Sequence, residues 1–446
     1  MSRVLVVGGG VLGLTLADDL ARRGHRPIVL ESAPSPGGLA SPETIGGYEW
    51  DRFYHVILES DLHLRGLLKQ IGVADSLRWG TTRTGFYAQG RLHSLSSSID
   101  YLRFPLLGLV DKVRLAATIL RAAHTTEWRR LESIPVADWL TRWSGRRVFE
   151  RLWLPLLRSK LGEHWRDASA AFIWAIIRRM YAARRSGLKT ERFGYVEGGY
   201  RHILAALVRS AEAQGVTIRG NAAVSEVARS GDGVEVRLAN GERLTADAAV
   251  LTVPCGTIAA LCPTLSAGER DRLRRVLYLG VACAAVLLKR PLATYYVTNI
   301  TDPGLPFTGV IEMTTLVDRS RFGGHSLVYL PRYLSLQDPA WQSSDAELRE
   351  RFLAGLVRMY PGFSKTDVVD FKIARAREVL AVSTLHYSRD AMPKVATSLP
   401  GVFIVNSAQI AAGTLNVNET IGVVRSGIEA VAGALASRRN APRVAA

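Results

Sequence analysis

Two periods of apolar residues run along this chain, and the switches between them mark out its elements. Val4-Leu5-Val6-Val7 is continuously apolar, as a strand covered on both faces is, and predicts a strand of a parallel sheet. It gives way to Gly8-Gly9-Gly10 and then to helical spacing that stops at Gly24, predicting a helix over 12–23. Pro27-Ile28-Val29-Leu30 predicts a second strand, closed by Glu31. Helical spacing returns at 61–71, and 85–88 with 91–95 read as a hairpin about Gln89-Gly90.

From about 99 to 188 the helical period dominates, at 112–123, 136–143, 148–161 and 170–183. These stretches carry Trp128, Trp139, Trp143, Trp153, Trp165 and Trp174, and end in a basic cluster of Arg178, Arg179, Arg184, Arg185, Lys189 and Arg192. Such tryptophans are more often core than surface, and such arginines a solvated face. A basic amphipathic region can also rest on an anionic membrane, and the pattern leaves both readings open.

Gly198-Gly199 opens the next helix, 201–214, and short strands follow at 216–219, 223–227, 234–238 and 246–254. Residues 256–395 mix strands and helices around an antiparallel sheet, and 401–405 is again an apolar strand, followed by a helix over 419–436. The layout predicts an α/β protein. One nucleotide-binding domain of Rossmann type is assembled from 1–98, 193–255 and 396–446, with a helical insertion at 99–192 and a mixed-sheet substrate domain at 256–395.

Candidate chemistry begins at the first turn. Gly8, Gly10 and Gly13 satisfy G-x-G-x-x-G between a strand and a helix. The first glycine permits the turn and the second lets the backbone approach a pyrophosphate. The third lets helix and strand pack, while the helix N-terminus faces the phosphates. Glu31 stands 18 positions beyond Gly13, near the ~20-residue spacing of the carboxylate that holds a ribose hydroxyl. Strand, helix and acid in register predict an adenine dinucleotide site.

Composition narrows the classes. At 446 residues and 48% hydrophobic content the chain can build two packed domains, and 22% charged residues exclude bulk disorder. Cys255, Cys262 and Cys283 form no C-x-x-C pair. That argues against disulfides or a metal site and for a reducing cytoplasm. The N-terminal apolar run is broken by Gly8–Gly10, unlike a signal peptide, and no apolar stretch reaches the ~18 residues that spanning requires. A net charge of +17 suits a phosphorylated substrate or the anionic inner face of a membrane, or reflects an arginine-rich proteome. No nucleic-acid motif accompanies the charge, so nucleic acid is excluded as a partner; nothing indicates the oligomeric state.

Taken together, these motifs resemble the FAD-dependent amine oxidase superfamily, which includes protoporphyrinogen oxidase, phytoene desaturases and, more distantly, UDP-galactopyranose mutase. Four separated features over nearly the whole chain carry the likeness. They are the glycine fingerprint with Glu31; Glu31 followed by Gly37-Gly38; Gly198-Gly199 with Val224 and Thr252-Val253-Pro254; and the terminal strand and loop from Gly401. The resemblance implies FAD as cofactor, near Gly8, Gly10, Leu12, Gly13, Glu31, Gly37, Gly38 and Leu39. It implies adenine held by the backbone of Val224, and Arg52 and Tyr54 running past the flavin. It also implies Asn406, Ser407, Asn416 and Val417 at the flavin end. Two departures stand out. Relatives commonly carry arginines where Ser35 and Leu39 stand, which leaves Arg52 to neutralise phosphate, and the usual Gly-Asp after the last strand is Asn406-Ser407.

His55 and Glu312 are the candidates for acid–base roles, His55 with packing or cofactor contact as its alternative and Glu312 with structural pairing. Tyr329, Arg332, Tyr333, His386 and Tyr387 are candidates for the substrate side. The leading expectation is a desaturase- or dehydrogenase-like oxidoreductase passing hydride from a large, apolar or lipid-linked substrate to flavin N5. The alternatives are a redox-neutral flavoenzyme resembling the nucleotide-sugar mutases and a non-catalytic flavoprotein serving in an assembly.

Overall fold

Apolar strands on either side of the glycine turn decide the first sheet. The computed structural model describes residues 1–183 and 191–440. Arg3–Val7 lies at the centre of a five-stranded parallel sheet, in the order Thr217–Arg219, Arg26–Leu30, Arg3–Val7, Ala248–Leu251, Val402–Ile404. Val6 is flanked by Val29 on one side and Val250 on the other, all completely buried. The helices Val11–Arg22 and Val417–Asn440 pack on one another beside this sheet, and Tyr200–Ala213 packs on the first of them. All three distant segments therefore meet in one sheet.

The second body is a seven-stranded sheet, Val368–Ala381, Tyr278–Leu288, Ser326–Ser335, Gly309–Glu312, Val297–Ile300, Thr84–Ala88, Arg91–Ser94. Its pairings are antiparallel except that of Val297–Ile300 with Thr84–Ala88. The hairpin about Gln89-Gly90 forms as read, with both turn residues at positive φ (54° and 70°). Its location corrects the sequence reading. Expected inside the 1–98 nucleotide-binding stretch, it instead supplies the edge of the seven-stranded sheet, because the register of Phe86 opposite Asn299 gives its backbone a partner there.

The insertion is helical, with Leu109–His124, Val136–Ser144 and Ala170–Ala183 packed together. Trp139, Trp153 and Trp174 are buried in its core. The helix expected over 148–161 is interrupted by a π-type turn at Phe149–Trp153. Pro155, two positions beyond the turn, cannot donate to the carbonyl four residues back, which accounts for the break. Arg178 stacks on Trp174, Arg179 pairs with Asp61 and Arg192 with Glu59. Arg184, Arg185 and Lys189 lie outside the described residues. All three cysteines are buried and free, and among the described residues no helix is long and apolar enough to cross a membrane.

Candidate functional site

The glycine turn is shaped from both sides. Thr252 Oγ1 donates to the carbonyls of Val7 (2.8 Å) and Gly8 (3.1 Å), tying the turn to the neighbouring strand end. A Cβ on Gly13 would stand 1.9 Å from the Gly8 carbonyl oxygen, so only glycine lets the first helix start this close. A Cβ on Gly10 would meet nothing within 4 Å. The turn is packed behind Gly13 and open at Gly10. Gly10 precedes the helix without a side-chain cap, which leaves the first N–H groups available to an anion. Leu12 is buried behind them and Leu39 is exposed beside Gly37-Gly38. Gly37 donates its N–H to the Gly9 carbonyl at 2.9 Å, closing the Gly37-Gly38 turn onto the first.

Glu31 borders this opening. Its carboxylate accepts from the N–H groups of Gly9 (2.7 Å) and Ala33 (2.9 Å). Ala222 donates its N–H to the Glu31 carbonyl at 2.8 Å, which brings Val224, two residues on, to the same end of the sheet. An open glycine turn, an uncapped helix N-terminus and a carboxylate at the second strand end fit the phosphates and ribose of FAD. At the other end the last helix is capped by Asn416, whose Oδ1 accepts from Glu419 N–H at 3.0 Å, with Val417 as its first residue. Its dipole favours negative charge at that point.

Asp51 organises the next segment, and sequence reasoning missed it. Its carboxylate accepts the N–H of Tyr200 at 2.7 Å, capping the helix that Gly198-Gly199 opens, and a Cβ on Gly199 would crowd it at 2.7 Å. His55 follows one turn of chain later, its Nδ1 3.7 Å from Asp51 and its ring 4.4 Å from that of Tyr200. That nitrogen is buried without a hydrogen-bond partner. Arg52 donates its N–H to the Ser41 carbonyl (3.2 Å), beside the Gly37–Ser41 turn. Burial raises the carboxyl of neighbouring Glu43 above its ordinary value, and the Arg52 charge works against that rise.

Tyr54 and Tyr333 meet between the seven-stranded sheet and the segment after Asp51, hydroxyl to hydroxyl at 3.2 Å. Burial first, and then Tyr333, hold the Tyr54 hydroxyl well above the usual tyrosine range. Lys160, from the helix Leu154–Leu161 of the insertion, places its ammonium 4.9 Å from the centre of the Tyr333 ring. Tyr333 and Leu415 both pack against the core of the insertion and against the core beneath Tyr54. The Ser159 and Thr308 pair beside Lys160 exchanges two side chain to backbone bonds (3.3 and 3.0 Å), fixing that helix to the sheet. Nothing near Lys160 in the sequence signals this role.

Several expectations are corrected by the direction in which strands turn their side chains. Glu312 is not at the site. It faces the far side of the sheet, where its carboxylate accepts from Leu292 N–H (3.1 Å) and Ala293 N–H (3.0 Å) and burial pushes it up to about 7. Arg332 alternates away from Tyr333 and approaches Asp338 at 3.7 Å. Tyr329 is fully buried behind Tyr54, its hydroxyl donating to the Asp51 carbonyl. Tyr387 is likewise buried, with its hydroxyl on the Ala408 carbonyl at 2.6 Å, and His386 begins the same short turn against Glu132. Asn406 spends its side chain internally, donating to the Val253 carbonyl (2.9 Å) and accepting from Ala408 N–H (3.1 Å). That leaves half-buried Ser407 as the polar group beside it.

Comparison with known proteins places this geometry. The model of the flavin containing amine oxidoreductase family matches residues 13–435. The chain is 23% identical over 411 residues to the 15-cis-phytoene desaturase of Narcissus pseudonarcissus, covering 83% of this chain and 68% of that enzyme. It is 30% identical over 148 residues to polyamine oxidase 3 of Oryza sativa, covering 31% of this chain and 28% of that enzyme. Among solved structures, putrescine oxidase bound to putrescine superimposes with a TM-score of 0.71 at 17% identity, covering 98% of this chain and 99% of that one. Reduced UDP-galactopyranose mutase does so with 0.72 at 16%, covering 98% and 96%.

Proposed function

The chain belongs to the flavin-containing amine oxidoreductase family and is an FAD-dependent oxidoreductase, and we propose that it oxidises a C–H bond of a large apolar substrate, uncharged or anionic where it meets Lys160. Bound FAD supplies the two-electron acceptor for hydride leaving carbon. The chain's own residues do the rest. The N–H groups at the start of Val11–Arg22 and the carboxylate of Glu31 hold the dinucleotide, and the N-terminus of Val417–Asn440 favours negative charge at the reactive end.

The observation that supports this substrate class is the lining of the junction at Tyr54 and Tyr333. It is aromatic and aliphatic, with Leu415 and Tyr333 continuous with the apolar core of the insertion. A cation, Lys160, reaches it. A cationic amine would bring like charge to Lys160, which is unfavourable. An apolar chain gains from burial there at roughly 25 cal/mol per Å². The folds of a putrescine oxidase and of a sugar mutase superimpose about equally well on this chain, so the fold does not choose between chemistries and the lining has to.

Anaerobic titration of the purified FAD-loaded protein tests this. Isoprenoid or lipid-linked substrates are expected to bleach the flavin absorbance, and putrescine is expected to leave it unchanged. Bleaching by putrescine alone would overturn the proposal. Turnover confined to chemically pre-reduced protein would assign redox-neutral chemistry instead.

A further inference from the structure

Half of the large apolar side chains exposed among the described residues fall in one short stretch of the insertion. Of twelve, six are Ile99, Leu102, Leu109, Val110, Val113 and Leu120, with exposures from 49% to 73%. They lie on two successive helices, Ser98–Arg103 and Leu109–His124. The two are pinned together by the Lys112 ammonium on the Leu102 carbonyl and the Tyr101 hydroxyl on the Lys112 carbonyl. The connection between them is driven inward, with Phe104, Leu106 and Leu107 buried in the core of the insertion. Scattered exposed leucines need no explanation, but six so close together in the chain do.

At 100° per residue, Leu109, Val110, Val113 and Leu120 occupy an arc of about 100° on the longer helix. Arg114 and Arg121 border that arc, while Asp111, Leu115, Thr118 and Ala122 are buried on the opposite side. Charge on this surface has one sign. Between 98 and 124 the acids are Asp100 and Asp111. Asp100 is spent on Ser94, Ser96 and Ser97, and Asp111 on Gly108 N–H and Arg147. Arg103, Arg114 and Arg121 remain exposed, with the Arg121 guanidinium stacked 3.7 Å over Trp143. Beside it a cleft of about 380 Å³ is lined by Arg121, Arg130 and Arg142, against the acids Glu127 and Asp138.

We propose that the Ser98–Arg103 and Leu109–His124 face docks on an anionic lipid bilayer, its apolar row entering the interface while Arg103, Arg114 and Arg121 meet the headgroups. An apolar face on a helix with a cationic border is the pattern of helices that lie in a membrane interface. A second copy of the chain would set cation against cation, which disfavours self-association through this face. The surface is separate from the basic cluster near 178–192, whose described arginines are engaged with Trp174, Asp61 and Glu59. The inference does not depend on the substrate.

Vesicle co-sedimentation of the full FAD-loaded chain tests it directly. Vesicles of phosphatidylcholine with about one third phosphatidylglycerol are expected to bind the protein at least tenfold more tightly than phosphatidylcholine alone. The double variant Leu109→Glu/Val113→Glu should lose that binding tenfold or more. Its flavin spectrum and melting temperature should match the parent, because both side chains are exposed. Val357→Glu, at an exposed apolar site elsewhere, should bind as the parent does. Failure of the parent to bind anionic vesicles, or equal binding by the double variant, would overturn the proposal. So would a dimer in solution that the double variant dissolves, since a second copy would then cover the face.

Discussion

The hydroxyls of Tyr54 and Tyr333 lie 3.2 Å apart, joining segments 279 positions distant in the chain. This contact ties the loop after Asp51 to the seven-stranded sheet and sets the wall that Lys160 approaches. A hydrogen bond between neutral groups is worth about 1 kcal/mol net, and a partner left unpaired when buried costs ~1–3 kcal/mol. Tyr54→Phe and Tyr333→Phe should each destabilise the protein by about 1–2 kcal/mol, and the double variant by less than their sum. Urea unfolding of all four proteins measures the coupling; strict additivity would show that the pair does not interact.

Gly10 and Gly13 separate binding from folding. Gly10→Ala adds a methyl into open space at an extended φ of −68°, so the apoprotein should unfold as the parent does while FAD retention falls by an order of magnitude or more. Gly13→Ala drives a methyl against the Gly8 carbonyl and should destabilise the apoprotein by several kcal/mol, on the order of other overpacking changes. Glu31→Ala should also weaken FAD retention. The ratio of flavin to protein after dialysis, set beside apoprotein melting, reads out all three. A Gly10→Ala protein that keeps its flavin would contradict the assigned phosphate approach.

Arg179 grips Asp61 through both nitrogens at 2.7 and 3.0 Å, and Asp61 is 1% exposed. Asp61 also accepts the Leu58 N–H at 2.9 Å, so the pair fastens the insertion to the nucleotide-binding part. Removing one partner strands a buried charge, which costs about 3–5 kcal/mol. Arg179→Met should therefore destabilise more than Arg179→Met combined with Asp61→Asn. Equilibrium unfolding of the two variants gives the order, and a double variant weaker than the single would refute it.

Glu312 links stability to pH. Burial pushes its carboxyl up to about 7 from an ordinary 4.5, so between those values the folded chain holds a proton that the unfolded chain has released. Stability from this group is greatest below about pH 4.5, falls as pH rises through that window and levels off above about 7. The span is on the order of 3 kcal/mol. Glu312→Gln should lack this slope, so the parent should lose stability relative to it between pH 4.5 and about 7. Parallel profiles for the two proteins would contradict the sign.

How far each feature was legible depended on how local its cause is. The glycine turn, the carboxylate at Glu31 and the hairpin at Gln89-Gly90 rest on backbone conformations and spacings within about 25 residues, and sequence spells those out. Helix ends followed for the same reason, to within a residue or two at both ends of the first helix and at the start of Ala170–Ala183. The π-type turn before Pro155 was missed, because apolar spacing over 148–161 reads as one continuous helix.

Beyond that range sequence determined residue types and left their partners open. Tyr329, Arg332 and Tyr333 share one strand, yet alternation sends Tyr329 and Tyr333 toward Tyr54 and turns Arg332 toward Asp338. One-residue changes of register reverse that choice, and register is settled by pairing with strands far away. The same is true of Glu312, of Asp51 under Gly199, and of Lys160 over Tyr333. The chain by itself therefore determined that a dinucleotide turn exists and where it starts. Only the tertiary structure decided which side chains gather around Tyr54 and Tyr333, because those faces are set by contacts between segments hundreds of residues apart.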